Sequence, residues 1–169
     1  WVVSFGRRLG DRTSLIASLG LLAGGSLEGE GRRFAVKPGF VASFTGGYRL
    51  FGGADGQLFG VTTLSMGFSR ASVEDDQTGD TQTLSASDLR VGAELGATLF
   101  GRLRPFALAR AFGGPVQVRI AGRDRVGSDR RHFALGFGVG TDAGRGLDLR
   151  FEAALLGERA FVWSAAYSF

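Results

Sequence analysis

The 169-residue sequence predicts an all-β protein, an up-and-down antiparallel transmembrane β-barrel of eight strands, or ten. Three observations carry that prediction. Apolar and polar residues alternate along most of the chain, the connections alternate between short and long, and glycine is abundant while proline is scarce. There are 29 Gly and 3 Pro. A glycine in a helix interior costs roughly 1 kcal/mol, so this content argues against helices. It suits curved strands and many turns. No apolar run approaches the ~20 residues that a transmembrane helix requires.

The elements follow in order. Residues 1–8 (WVVSFGRR) alternate like a strand and lead into a short turn at Leu9–Arg12. Residues 13–24 form the next segment, and a polar connection follows at Gly25–Arg32. Residues 33–51 place Phe34, Val36, Phe40, Ala42, Phe44, Tyr48 and Leu50 on one face, against Arg33, Lys37, Gly39, Ser43, Thr45, Gly47 and Arg49. The turn at Gly52–Gly56 leads to segment 57–73, and a polar loop at Glu74–Ala86 leads to 87–102. There Leu89, Val91, Ala93, Leu95, Ala97 and Leu99 oppose Asp88, Arg90, Gly92, Glu94, Gly96, Thr98 and Arg102. A short turn at Arg102–Arg104 follows.

Segment 105–121 departs from the pattern, because Arg110 stands among Phe106, Leu108 and Phe112. This predicts a bulge near Gly113–Gly114 or an inverted facing. The polar loop Gly122–Arg130, segment 131–143 and the turn Ala143–Gly146 come next. Segment 146–157 sets Leu147, Leu149, Phe151, Ala153 and Leu155 against Asp148, Arg150, Glu152 and Ala154, and 160–169 ends the chain after a short connection. From residue 13 onward this makes eight strands in one domain spanning 1–169. Residues 1–8 would be a ninth, whereas a closed single-chain barrel takes an even number. Residues 1–12 are therefore either peripheral or one of ten strands. No signal-peptide pattern opens the sequence, so an export signal is expected upstream of Trp1.

Four features put the apolar face outward, toward lipid. The polar faces are rich in Gly, Ala and Ser, which suits a crowded interior. The segments are long enough to cross a bilayer at a ~45° tilt. Aromatic residues stand near segment ends, at Phe34, Tyr48, Phe51, Phe59, Phe68, Phe100, Phe106, Phe133 and Trp163, where interface girdles belong. The chain also ends on a strand, FVWSAAYSF, with Phe161, Trp163, Ala165, Tyr167 and Phe169 pointing one way.

That last stretch resembles the C-terminal signature of bacterial outer-membrane β-barrels, with an aromatic at the third-last position (Tyr167) and a terminal Phe169. The stretch FALGFGVGTDAGRGLDLRFEAAL, residues 133–155, is similar to the penultimate hairpin of small OmpA-like barrels. The resemblance implies residence in the bacterial outer membrane. It also implies recognition of Phe161, Trp163, Tyr167 and Phe169 by the barrel-assembly machinery, and room for envelope protein partners.

If the facing holds, Lys37, Arg49, Asp88, Arg90, Glu94, Arg102, Asp148, Arg150 and Glu152 point into the lumen. Buried charges must pair, or each costs several kcal/mol. Two readings follow: a salt-bridge plug that shuts or gates a narrow pore, or a static polar core that stabilises the barrel. Arg119, Arg123, Arg125, Arg130 and Arg131 form a basic loop suited to lipopolysaccharide phosphates, since guanidinium groups bind phosphate bidentately.

Catalysis has little support. With no cysteine, thiol chemistry and Cys-based zinc sites are excluded. The one histidine, His132, would be a general base near headgroups or a plain rim residue. A lipid A deacylase would carry Ser two residues further on, where this chain has Ala134, although Ser128 and Asp129 are near in sequence. The acidic stretch 74–76 with Asp80 lacks the ordered spacing of a calcium loop. No metal or cofactor is expected. The net charge of +4 is scattered, so nucleic acid is not an expected partner. The Gly-x-Trp opening of a soluble lipocalin-like carrier is missing.

Overall fold

Period-two alternation becomes strand almost throughout. The computed structural model describes residues 1–29, 32–52, 57–75, 79–120, 123–128, 132–145, 147–157 and 159–167. Side chains are described for these except at 27–29, 32, 75, 118–120, 123–125, 128 and 167. The strands are β1 (Val2–Leu9), β2 (Thr13–Leu22), β3 (Gly25–Gly29), β4 (Arg32–Val36), β5 (Gly39–Phe51), β6 (Leu58–Asp75) and β7 (Thr81–Ala97). They continue as β8 (Leu103–Gly113), β9 (Pro115–Ile120), β10 (Arg123–Ser128), β11 (Phe133–Asp142), β12 (Leu147–Gly157) and β13 (Ala160–Tyr167).

One antiparallel sheet runs in the order β1-β2-β5-β6-β7-β8-β11-β12-β13. It is curled into a half-barrel, and residues of β2 at one side and β13 at the other line a single cavity. Residues 1–8 are a full member of it, since β1 pairs with β2 from Val2 to Leu9. The path thus has nine staves rather than eight. Because direction alternates along it, β1 and β13 run the same way, and no ladder joins them among the described residues.

The three polar connections read as loops are largely strand. Gly25–Arg32 falls in the β3–β4 hairpin, and Gly122–Arg130 contains β10, which pairs with β9. The third shrinks to residues 76–80 between β6 and β7. Segments such as Thr81–Ser87 (TQTLSAS) carry β-favouring threonines with polar residues on both faces. That composition hides a strand from a search for one apolar face.

The ladder slips by one residue at Leu50 in β5 and at Leu155 in β12, and two other changes of facing alter the expected faces. Val36 stands opposite Val73 and Phe40 opposite Arg70, so β4 and β5 together hold one residue more than β6. The surplus lies at Lys37–Gly39, where Pro38 has no N–H to give the ladder and the Lys37 N–H bonds the Ser72 carbonyl at 2.8 Å. The bulge turns Phe34 inward with Ala71 and Val73, all three buried, while Phe40 faces out. Phe34 therefore does not share the outer face expected for it.

The second change is β8. Its alternation places Phe106, Leu108 and Phe112 in the buried interior and Ala107, Ala109 and Ala111 on the exposed side. Pairing with β7 keeps one register from Leu89–Gly113 to Ala86–Val116, through β8 and into β9. Inverted facing, and not a bulge at Gly113–Gly114, explains Arg110. Elsewhere the exposed side is the apolar one, with Phe44, Leu64, Met66, Leu89, Val91, Leu95, Phe137, Phe151, Phe161 and Trp163 all uncovered.

Bulk on the inner face of β8 is accommodated by the absence of bulk on β11. Phe106 stands opposite Gly138, and a Cβ there would overlap both its ring and the Phe151 carbonyl. At Gly140 an added Cβ would sit 3.8 Å from the Leu149 carbonyl oxygen, an ordinary contact. Gly138→Ala should therefore destabilise the refolded protein by about 1–3 kcal/mol, the usual range for overpacking. Gly140→Ala should change stability by roughly 0.5 kcal/mol or less, as substitutions away from tight contacts do. Chemical unfolding midpoints of the two variants provide the comparison.

Candidate functional site

Inward alternation on β5, β7, β8 and β12 converges on a cavity of about 820 Å³. Six arginines (Arg8, Arg49, Arg90, Arg104, Arg110 and Arg150) and four carboxylates (Asp88, Glu94, Asp148 and Glu152) line it. The spaces between them are filled by Ser, Thr and Gly, including Ser43, Thr45, Gly47, Thr63 and Ser65.

At its centre four residues form a closed ionic lattice. Both Nη atoms of Arg110 donate to the two Glu152 carboxylate oxygens, the Nη2–Oε2 bond at 2.8 Å. Arg150 donates to Glu94 through Nη2 at 2.5 Å and through Nη1 at 3.2 Å. The two pairs are joined where Arg150 Nη2 reaches Glu152 Oε2 at 3.3 Å, and Arg110 Nη2 lies 3.8 Å from Glu94 Oε1. Fork-on-fork geometry of this kind is the strong form of a charge-assisted hydrogen bond. The side chain of Glu152 is 7% exposed and that of Glu94 11%, so both carboxylates depend on these donors.

The lattice ties β7 to β8 and β12 across the interior. It clears β11 because that strand shows Ala134, Gly136, Gly138 and Gly140 on its inner side. Phe106 supplies its floor: the Arg150 guanidinium lies 4.1 Å from the ring centroid. Arg90 repeats the arrangement over Phe112 at 4.9 Å while its Nε donates to Asp88 Oδ2 at 2.5 Å. Cation–π contacts of this sort contribute about 0.5–2 kcal/mol, more as water is excluded. Arg104 pairs with Asp148 nearer the short-turn end.

Of the nine lumen charges expected from sequence, Arg49, Asp88, Arg90, Glu94, Asp148, Arg150 and Glu152 line the cavity. Two lie elsewhere. Arg102 is exposed in the turn between β7 and β8, where its carbonyl accepts the Asp142 N–H. Lys37 sits at the bulge, its Nζ 2.7 Å from Glu74, with both side chains well exposed. Sequence reasoning missed Arg8, Arg104 and Arg110. For Arg110 the signal was present in the alanines at 107, 109 and 111, which are too small for an outward apolar face.

Among the rim residues, His132 is exposed just before β11, and its carbonyl accepts the Phe112 N–H. Arg119 stands opposite Asp124, Arg123 opposite Ile120 and Arg125 opposite Val118 in the β9–β10 hairpin. Their side chains, like those of Ser128 and Tyr167, lie outside the described part, as do residues 129–131 with Arg130 and Arg131, Asp76 and Phe169. Among the described residues no cluster of His, Asp or Glu could hold a metal ion.

Fold and cavity together define a class: a curled, antiparallel all-β sheet with a charged, internally paired concave side and an apolar convex side. Comparison with protein-family models, curated proteins and solved structures finds no match for the chain.

The lattice leads to a contrast between variants. Glu152→Gln leaves the Arg110 charge unneutralised and should cost about 3–5 kcal/mol, as loss of one partner from a buried pair does. Replacing the pair together, as Arg110→Met with Glu152→Leu, should recover most of that loss. Unfolding free energies of Arg110→Met, Glu152→Leu and the double, read as a double-mutant cycle, measure the coupling.

Proposed function

We propose that the protein is an integral β-barrel of the bacterial outer membrane, whose charged interior forms a narrow passage latched by the Arg110–Glu152 and Arg150–Glu94 pairs. The carrying observation is the inside-out distribution of residues. Large apolar side chains on the convex side are uncovered over strands β5, β6, β7, β11, β12 and β13, while ten charged side chains line the concave side. In water such an apolar surface would drive association, because monomeric soluble proteins rarely expose more than a few hundred Å² in one patch. Against lipid tails it is the expected exterior, and the polar interior is the expected lumen.

Phe100 supports the reading. It occupies a left-handed conformation (φ 54°) that bulky residues rarely adopt, in the short β7–β8 turn, and the residue is 88% exposed. An aromatic held there at a conformational cost fits a ring anchored at a membrane interface. Short turns on one rim and long hairpins on the other match periplasmic and extracellular ends. The outward Phe161 and Trp163 fit the resemblance of the last strand to an assembly signal. Because β1 and β13 run parallel, one further strand antiparallel to both would close the sheet, giving ten staves rather than eight.

Several measurements test this. The refolded protein should insert into lipid vesicles and show heat-modifiable mobility in detergent. Leu64→Arg, on the outer face, should weaken folding into vesicles by about 2–4 kcal/mol, the cost of Arg near the midplane of a barrel wall. In planar bilayers Glu94→Gln should raise single-channel conductance by opening one pair of the latch. Unchanged conductance in that variant would make the lattice a static core. A protein that folds and stays monomeric in detergent-free buffer would refute membrane residence.

A further inference from the structure

The ten charges of the cavity are not evenly compensated. In the middle Arg110 and Arg150 balance Glu94 and Glu152; toward the long hairpins Arg90 pairs with Asp88. Toward the short turns Arg104 pairs with Asp148. The surplus is Arg8 and Arg49, whose guanidinium groups have no ion-pair partner among the described residues.

Both lie at the same end. Arg8 stands opposite Ser14, next to the turn at residues 10–12. The main-chain N–H of Arg49 bonds the Arg12 carbonyl at 2.7 Å, from the far side of β2. Between the two arginines the inner face carries only Ser14 and Gly47, which are themselves paired. The cavity lining also includes Thr98, just past the end of β7 toward the short turn, 6% exposed, whose N–H bonds the Gln57 carbonyl but whose Oγ1 has no hydrogen-bond partner. A buried hydroxyl left unsatisfied is costly and normally finds a partner.

We propose that this short-turn mouth is a binding site for small anions bearing carboxylate or phosphate, and that it gives the passage anion selectivity. The inference rests on the membrane-barrel reading for its selectivity part only. Two guanidinium groups without an ion-pair partner among the described residues supply forked N–H donors that match such oxygens bidentately. Ser14 and Thr98 add neutral hydroxyl groups to the lining. The low-dielectric walls of a cleft focus the field of its charges and raise the local concentration of counter-ions. The balanced central lattice contributes little long-range field, so the sign of selectivity is set at this mouth. An anion entering here would next meet Arg104, which is already engaged by Asp148, and then the closed lattice.

The test uses the full chain in two settings. In a planar bilayer under a KCl gradient, the reversal potential of the wild type should show preference for chloride. Arg8→Gln combined with Arg49→Gln should lower the chloride-to-potassium permeability ratio by about tenfold, the low end of what focused charge provides. Arg8→Lys with Arg49→Lys should keep the sign. A conducting wild type that prefers potassium, or a ratio unmoved in the double Gln variant, overturns the proposal. If the bilayer stays silent, the passage reading fails, and binding decides the site by itself. Calorimetric titration of the detergent-refolded protein with inorganic phosphate should then give saturable heat that is lost in the double Gln variant and weakened by added salt. No saturable heat, or heat unchanged in that variant, overturns the site. Unaltered heat-modifiable mobility of the variants separates loss of the site from loss of the fold.

Discussion

The arrangement of this protein turns on the need of Glu94 and Glu152 for cationic partners once they are shut away from water. At 4 Å and an effective dielectric constant near 20, two unit charges attract by about 4 kcal/mol, enough to offset much of the cost of desolvation only when the geometry is good. Good geometry here requires Arg110 on β8 to face the same interior as Arg150 on β12 and Glu94 on β7. That requirement sets the facing of β8, and with it the inward turn of Phe106, Leu108 and Phe112. The glycines of β11 follow in turn, because any side chain at 138 would occupy the space of the Phe106 ring. One ionic lattice thus organises four strands.

The same lattice divides the strands into two unlike faces. Most of their charge is drawn to the concave side, leaving the convex side mainly to Phe, Leu, Val and Met, although Arg7, and Arg70 opposite Phe40, stay on the convex side. Ala107, Ala109 and Ala111 are small residues on that side because β8 has committed its large residues inward. The outer surface is therefore thinner along β8 than along β6 or β12. At the hairpin end the requirement relaxes: β3–β4 and β9–β10 reach past the lattice and carry polar residues on both faces.

Much of this was legible in the sequence. Strict alternation on β5, β7 and β12 gave their position, facing and seven lumen charges, because on those strands bulk and charge separate cleanly by parity. The short turns were legible from their Gly and polar content. What stayed hidden was hidden for definite reasons. Phe34 was misplaced because parity cannot be carried across Pro38, where one surplus residue reverses the face. Arg110 looked anomalous because the rule that large apolar residues face out fails on a strand whose aromatics serve as platforms for guanidinium groups. Arg104 was taken as turn and Arg102 as strand, because β7 ends five residues before the expected boundary and β8 begins two residues before its own, which only the ladder settles. β3 and β10 escaped notice because GSLEGEGR and GRDRVGSDR carry no run of alternating apolar residues, whereas their partners β4 and β9 fell, apart from Arg32, within segments 33–51 and 105–121.

The parallel edges of the nine-stave sheet have a practical corollary. The chain contains two tryptophans, Trp1 and Trp163, and both sit on the seam: Trp1 at the head of β1, its amino group bonded to the Leu21 carbonyl at 3.0 Å, and Trp163 on β13 opposite Phe151. Both indoles are largely uncovered. The tryptophan emission of this protein is therefore a reporter of its two edge strands, far from the lattice and the hairpins. Covering those edges would change the surroundings of both indoles at once, and with them the colour of that emission.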